Sequence, residues 1–261
     1  MARIGSFNGL FMLLSLPLLL LLTLPLVKMA SEPSLEMLVE TLSDPDVVMA
    51  ITRSILTSLS AALISFCLGT PLAYLLARKH FFGKKLVEGI IDLPIMIPHP
   101  VVGIAILSLA GRNNPFGRLL GELGIQIMGT VTGIITVLVF VGLPFYINTV
   151  KAGFESVPIR LEKASRTLGA GELTTFFRIT VPLTWRYMVV GFIMCTARAI
   201  SEFGAVVIVA YHPMTAPVMI YERFTAYGLK YSQPIAVWLI AISFLLFLGL
   251  RFFSRSIHAV R

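Results

Sequence analysis

Six apolar stretches, each close to the length of a bilayer crossing, constrain this chain more than any other feature. They run at Leu10–Val27, Ser54–Ala77, Leu93–Ala110, Thr130–Val150, Tyr187–Tyr211 and Pro234–Phe253. About 20 apolar residues in a helix cross the hydrocarbon of a membrane. There every backbone N–H and C=O must be bonded within the segment, which selects helices. The sequence therefore predicts an all-α integral membrane protein with six transmembrane helices. Composition agrees, with 57% hydrophobic and only 13% charged residues and a mean hydropathy of +0.89. Soluble domains carry about 25% charged residues.

The net charge of +8 could mean a nucleic-acid partner. No basic patch with interleaved aromatics accompanies it, and cytoplasmic loops of membrane proteins are basic anyway. No nucleic acid is expected. Cys67 and Cys195 both fall inside apolar stretches and neither belongs to a CxxC pair, so no disulfide is expected. His80, His99, His212 and His258 have no metal-ligand spacing. Neither a metal site nor a catalytic constellation is visible.

The first stretch could be a cleaved signal peptide, but its apolar run is longer than the usual ~7–15 residues. Pro25 and Lys28 also spoil the cleavage pattern, so a retained span is expected. Orientation follows from lysine and arginine. With the N-terminus inside, fourteen of these residues fall on the cytoplasmic side, from Arg3 to Arg261, and six on the outer side. Arg198 lies within a span. Both termini are thus expected in the cytoplasm. Ser34–Leu42 has Leu35, Leu38, Val39 and Leu42 at helical spacing among Glu36 and Glu40, which predicts an amphipathic helix on the outer surface.

Two spans are irregular. The third contains Pro94, Pro98, His99 and Pro100; prolines in a helix interior remove donors and clash, at about 3 kcal/mol each. Broken backbone cannot face lipid, so this segment either kinks for structural reasons or lines a path or hinge. The fifth carries Arg198 and Glu202 four residues apart on one helix face. A charge at the bilayer centre costs about 2.5–3.5 kcal/mol, so such residues pair and face protein. Ser201 and Gly204 are small enough for helices to approach closely. These eight residues are the gate or pathway candidates.

Between the fourth and fifth spans lies a polar island, Glu162–Pro182. Pro158 suits a helix start and Gly169 a left-handed stop, so Ile159–Leu168 reads as one short helix. Leu173–Ile179 reads as a second, stopped by Pro182 as the chain re-enters the membrane. Leu168, Leu173 and Phe176 would then be exposed and would favour a cleft in a partner. A helical loop flat on the membrane is the alternative.

Gly169 followed ten residues on by Ile179, then Val181 and Pro182, resembles the EAA loop of ABC importer permeases, E-A-A-x3-G-x9-I-x-L-P. Ala164, Leu168 and Ala170 fall at customary positions, but the register puts Lys163 where the motif has glutamate, with Glu162 one residue early. Which of the two makes the motif's polar contact is left open. Asp92-Leu93-Pro94 with Ile97-Pro98 and Gly103 resembles the third span of sulfate and molybdate permeases. The run Ala197–Ala205, with Tyr211, Pro213, Ala216-Pro217 and Ile220–Arg223, is similar to the permeases of molybdate/tungstate importers, particularly archaeal ones. The resemblance covers residues 45–255.

It implies a type I ABC importer permease fold with a cytoplasmic coupling-helix loop. Residues 1–50 would hold the first span and outer helix, 51–255 the permease core with its coupling loop at 151–186, and 256–261 a cytoplasmic tail. It further implies a homodimer in a prokaryotic cytoplasmic membrane, two cytoplasmic ABC ATPase subunits and an external oxyanion-binding protein. Coupling would use Glu162, Lys163, Ala164, Arg166, Leu168, Gly169, Ala170, Phe176, Ile179 and Pro182, and gating the third and fifth spans. The chain has no G-x4-G-K-[ST], since Gly83-Lys84 is followed by Lys85, so ATP and Mg would sit on the partner and no cofactor on this chain. The solute would be molybdate or tungstate, or alternatively sulfate or another oxyanion. A stand-alone secondary anion transporter and an intramembrane enzyme are the rival classes; Glu202 is the one acid deep in a span, and no nucleophile–base pair is visible.

Overall fold

A computed structural model describes residues 6–111 and 113–256, and among them every regular element is helical. Among the described residues five helices are long and apolar enough to cross a bilayer: Phe11–Ser31, Pro45–Arg78, Val131–Ser156, Glu172–Ile200 and Leu229–Phe252. A bent pair, Lys84–Met96 and His99–Ala110, is long and apolar enough only when its two helices are taken together, and it turns by 115° at the break between them. In chain order the helices are α1 (Ser6–Ser31), α2 (Leu35–Ser43), α3 (Pro45–Arg78), α4 (Lys84–Met96), α5 (His99–Ala110), α6 (Pro115–Glu122) and α7 (Val131–Ser156). There follow α8 (Ile159–Thr167), α9 (Glu172–Ile200), α10 (Gly204–Val209), α11 (Ala216–Tyr227) and α12 (Leu229–Ser256).

The structure corrects several expected boundaries. The third span is not straight, and Pro98 and Pro100 do not interrupt a helix. Pro98 is the N-cap of α5 and Pro100 lies in its first turn, where a missing N–H costs nothing; Pro94 alone lies inside a helix. The fifth span does not run from Tyr187 to Tyr211: α9 begins at Glu172 and ends at Ile200, before a break at 201–203 and the short α10. Pro182 does not stop a helix either. It follows a π turn at Phe176–Thr180, where the Val181 amide bonds five residues back to Phe176, and the widened turn accommodates the proline. Of the expected loop at 151–186, the residues up to Ser156 continue α7 and those from Glu172 belong to α9. The boundary at residue 50 falls inside α3. Residues 257–261 of the tail, with Arg3 and Arg112 of the charge count, lie outside the described residues.

The core is α3 packed on α7 and α9, with side chains small enough for close approach. Ala61, Ala62, Ser58 and Ser65 are fully buried on α3. A Cβ at Gly69 would sit 2.9 Å from the Tyr146 ring, so glycine is what lets α3 meet α7 there. The Tyr146 hydroxyl, buried with that ring, shares a 2.7 Å hydrogen bond with Thr70 Oγ1. α4 is fastened to α7 by polar bonds, Lys151 Nζ to Glu88 at 2.6 Å and Asn148 Nδ2 to Asp92 at 2.7 Å.

At the opposite end, α2 forms as predicted, capped by Ser34 through the Met37 amide. Its faces are not those expected: Met37, Leu38 and Thr41 turn inward, while Leu35, Val39 and Leu42 are exposed. The Trp238 indole donates to the Leu38 carbonyl at 2.9 Å, which holds α2 on α12. Arg223 pairs with Asp44 at 3.1 Å, and the Arg53 guanidinium donates to the Met214 carbonyl. Glu32 accepts from Gln233 at 2.6 Å and pairs with Lys28 at 3.0 Å. The Gln233 bond foremost, then Lys28, holds the Glu32 carboxyl below its ordinary pKa.

Candidate functional site: an elbow and a polar crossing joined by one helix

The elbow closes at Gly169, whose φ of +91° only glycine adopts without strain. Its amide bonds the Arg166 carbonyl at 3.0 Å and the Ala170 amide bonds Ser165 at 3.1 Å. That pair of bonds is a Schellman motif, which satisfies the last carbonyls of α8 and turns the chain sharply. A hydrogen bond of 3.1 Å between Ser165 and Thr175 closes the two limbs. The exposed Arg166 meets Glu172 at 2.5 Å.

Glu162 fastens this unit to the membrane body. Its Oε1 accepts from Arg78 Nε at 3.0 Å, Arg78 Nη2 at 2.8 Å and Thr180 Oγ1 at 3.0 Å. Tyr74 donates to Oε2 at 3.4 Å. Lys163 is exposed, and of these two neighbours it is Glu162 that bonds to the rest of this chain. Its partners on α3 lie more than 80 positions earlier in the chain, a separation the local motif could not reveal.

The elbow's outer face consists of Leu168 (89% exposed), Leu173 (75%) and Phe177 (63%), beside the exposed Lys163, Ala164 and Arg166. Phe176 is not on that face, contrary to expectation. It is half-buried, its ring 5.0 Å from Tyr74 and 6.2 Å from Phe154, and so anchors the limb while Phe177 is presented outward. Ile179 and Pro182 are half-buried and Ala170 closes the corner.

About 39 Å along α9 from Glu172 to Arg198, at about 1.5 Å per residue, lies the second cluster. Arg198 Nη2 donates to Glu202 Oε2 at 2.7 Å and meets His99 Nε2 at 2.6 Å. The other Glu202 oxygen accepts the Ala205 amide at 2.9 Å, which holds the first turn of α10. Side-chain exposure grades outward, from 1% for Glu202 to 20% for Arg198 and 38% for His99. A Cβ at Gly204 would lie 3.1 Å from His99 Cβ and 3.3 Å from Pro100 Cδ, so α5 and α10 meet almost backbone to backbone. The structure thus brings together His99, Pro100, Arg198, Glu202 and Gly204. Ser201 is exposed beside them, its hydroxyl turned back to the Arg198 carbonyl at 3.1 Å; Pro98 caps α5, and Pro94 is buried in α4. Sequence reasoning paired Arg198 with Glu202 but had no signal for the approach of His99 across the bend.

A family model described as the binding-protein-dependent transport system inner membrane component matches residues 69–259. The chain belongs to that family, the permeases of ABC importers. It is a multi-pass membrane protein and a transport subunit. A permease of the molybdate/tungstate transport system from Pyrococcus abyssi is 46% identical over 215 residues, covering 82% of each chain. Its counterpart in Methanocaldococcus jannaschii is 43% identical and covers 82% of this chain and 84% of the relative. A sulfate transport permease from Synechocystis is 32% identical, with 82% and 76% covered. Among solved structures, a bacterial alginate importer aligns over 98% of this chain and 96% of its own, with a TM-score of 0.76 at 17% identity. That likeness speaks to the fold alone, which is the type I permease fold expected.

Proposed function

We propose that this chain forms the translocation path of an ATP-driven importer for molybdate and tungstate. Two copies would assemble in a prokaryotic cytoplasmic membrane with both termini inside, served by two cytoplasmic ATPases and an external oxyanion-binding protein. ATP and Mg would reside on the ATPases. The observation that carries this reading is the continuity of α9, which runs unbroken from Leu173 and Phe177 on the elbow's apolar face to Arg198, the partner of Glu202 in the break just beyond its end. A helix fastened at its base by the Glu162–Thr180 bond and by Phe176 moves as one body, so a push on Leu168, Leu173 and Phe177 reaches the crossing of α5 and α10. Bistable helix shifts of this kind are how packed bundles switch.

The oxyanion assignment is supported by relatives of 43–46% identity named for molybdate and tungstate, against 31–34% for those named for sulfate. Affinity would reside in the binding protein, and the path would bind weakly enough to release. The test is uptake in proteoliposomes containing the chain, its ATPase and its binding protein. ATP-dependent accumulation of molybdate and tungstate, with sulfate excluded, is expected. Uptake driven by an ion gradient without ATP would refute the proposal.

A further inference from the structure

Arg198 and Glu202 already neutralise each other, so the third member of their cluster calls for an explanation. Both carboxylate oxygens of Glu202 are engaged, one by Arg198 at 2.7 Å and one by the Ala205 amide at 2.9 Å, and its side chain is 1% exposed. Glu202 is therefore a fixed counter-charge. His99 differs in every respect. It reaches Arg198 from another helix, lies on the more open flank and has both ring nitrogens near the same Nη2, at 2.6 and 3.2 Å, while its Nδ1 stands 3.7 Å from Glu202 Oε2, beyond hydrogen-bond length. Arginine only donates, so the nitrogen it meets must present a lone pair. A neutral imidazole is a poorer partner for a guanidinium than an oxyanion, which brings charge and several acceptor oxygens.

We propose that His99 is the exchangeable ligand of Arg198, holding the seat that a tetrahedral oxyanion takes as it crosses. This rests on the oxyanion-importer reading and names the contact at which the solute meets this chain. The incoming anion displaces the imidazole without parting Arg198 from Glu202, so the buried carboxylate never loses its partner. The displacement also unties a polar link between α5 and α9, the two walls that meet here. Occupancy and loosening of the crossing are then one event.

The test reads the freed imidazole directly. Diethyl pyrocarbonate acylates an imidazole nitrogen through its lone pair, and peptide mass spectrometry reports the rate at each histidine. The complex purified from its native membrane is treated in sodium tungstate or in sodium chloride of equal ionic strength. His80 and His212, both exposed, are internal controls. Tungstate is expected to speed modification of His99 about tenfold, the scale of one lost hydrogen bond to a charged group, and to leave the controls unchanged. In Arg198→Gln, His99 should react quickly with or without tungstate. A His99 rate that tungstate leaves unchanged or slows, or one that rises only in step with the controls, overturns the proposal. ATP-driven tungstate uptake without a His99 response refutes the exchange alone. A His99 response without ATP-driven uptake refutes the importer reading instead.

Discussion

Replacing Glu162 by alanine is expected to loosen the elbow without unfolding the membrane body. The carboxylate accepts two bonds from Arg78 and one from Thr180, all at 2.8–3.0 Å, and Arg78 keeps only its bond to the Val157 carbonyl once they are gone. Breaking one partner of a buried pair costs about 3–5 kcal/mol. Arg78 is the last residue of α3, where water reaches a freed guanidinium, so the low end of about 3 kcal/mol applies. That is less than the roughly 5–15 kcal/mol holding a domain together, so the loss appears as local opening. Amide hydrogen exchange over residues 159–171 should then quicken roughly a hundredfold, while the α3–α7 core is unchanged. Glu162→Gln keeps an acceptor but not the charge and should fall between. Lys163→Ala, at the position that the motif's register favours, should stay within about 0.5 kcal/mol of wild type. If Glu162→Ala and Lys163→Ala exchange alike, Glu162 does not hold the elbow and the reasoning fails.

Phe176→Ala should destabilise the α8–α9 corner by about 2 kcal/mol, since a half-buried ring leaves a cavity against Tyr74 and Phe154; Phe177→Ala should leave melting unchanged yet weaken ATPase binding in a pull-down. Gly103→Ala places a Cβ 2.8 Å from the Ala205 carbonyl and the Ile208 Cβ, so a loss of about 1–3 kcal/mol in thermal stability and slower uptake are expected. Arg198→Ala strands Glu202 at 1% exposure and should lower the yield of folded protein, whereas Arg198→Ala with Glu202→Gln should recover much of that yield. Equal yields of the single and double variants would remove the pair from the account.

What could be read from the sequence divides by distance along the chain. The long apolar runs identified each membrane-crossing region, because lipid admits few ways to satisfy a backbone. The corner at Gly169 was legible since a helix stop is a local event, and Arg198 with Glu202 since only four residues part them, although α9 ends at Ile200 between the two. Continuity was misjudged where a local signal was read too literally. Pro182 suggested a stop, but a π turn beside a proline keeps the helix running. Three clustered prolines suggested three breaks, yet two of them begin a helix, where they fit well. Partners far apart in sequence stayed hidden: neither Arg78 with Glu162 nor His99 with Arg198 has a periodicity to betray it. Phe176 and Phe177 are adjacent and alike, and only the position of the Tyr74 and Phe154 rings decides which turns inward.

The central claim is that the elbow at Gly169 transmits ATP-driven movement to the crossing. The direct measurement is the number of oxyanions imported per ATP hydrolysed by proteoliposomes carrying Gly169→Val. No atom lies within 4 Å of a Cβ built there, so the substitution disturbs the +91° backbone corner without striking a neighbour. Hydrolysis that continues while import per ATP collapses is the predicted result. An unchanged ratio would contradict the account.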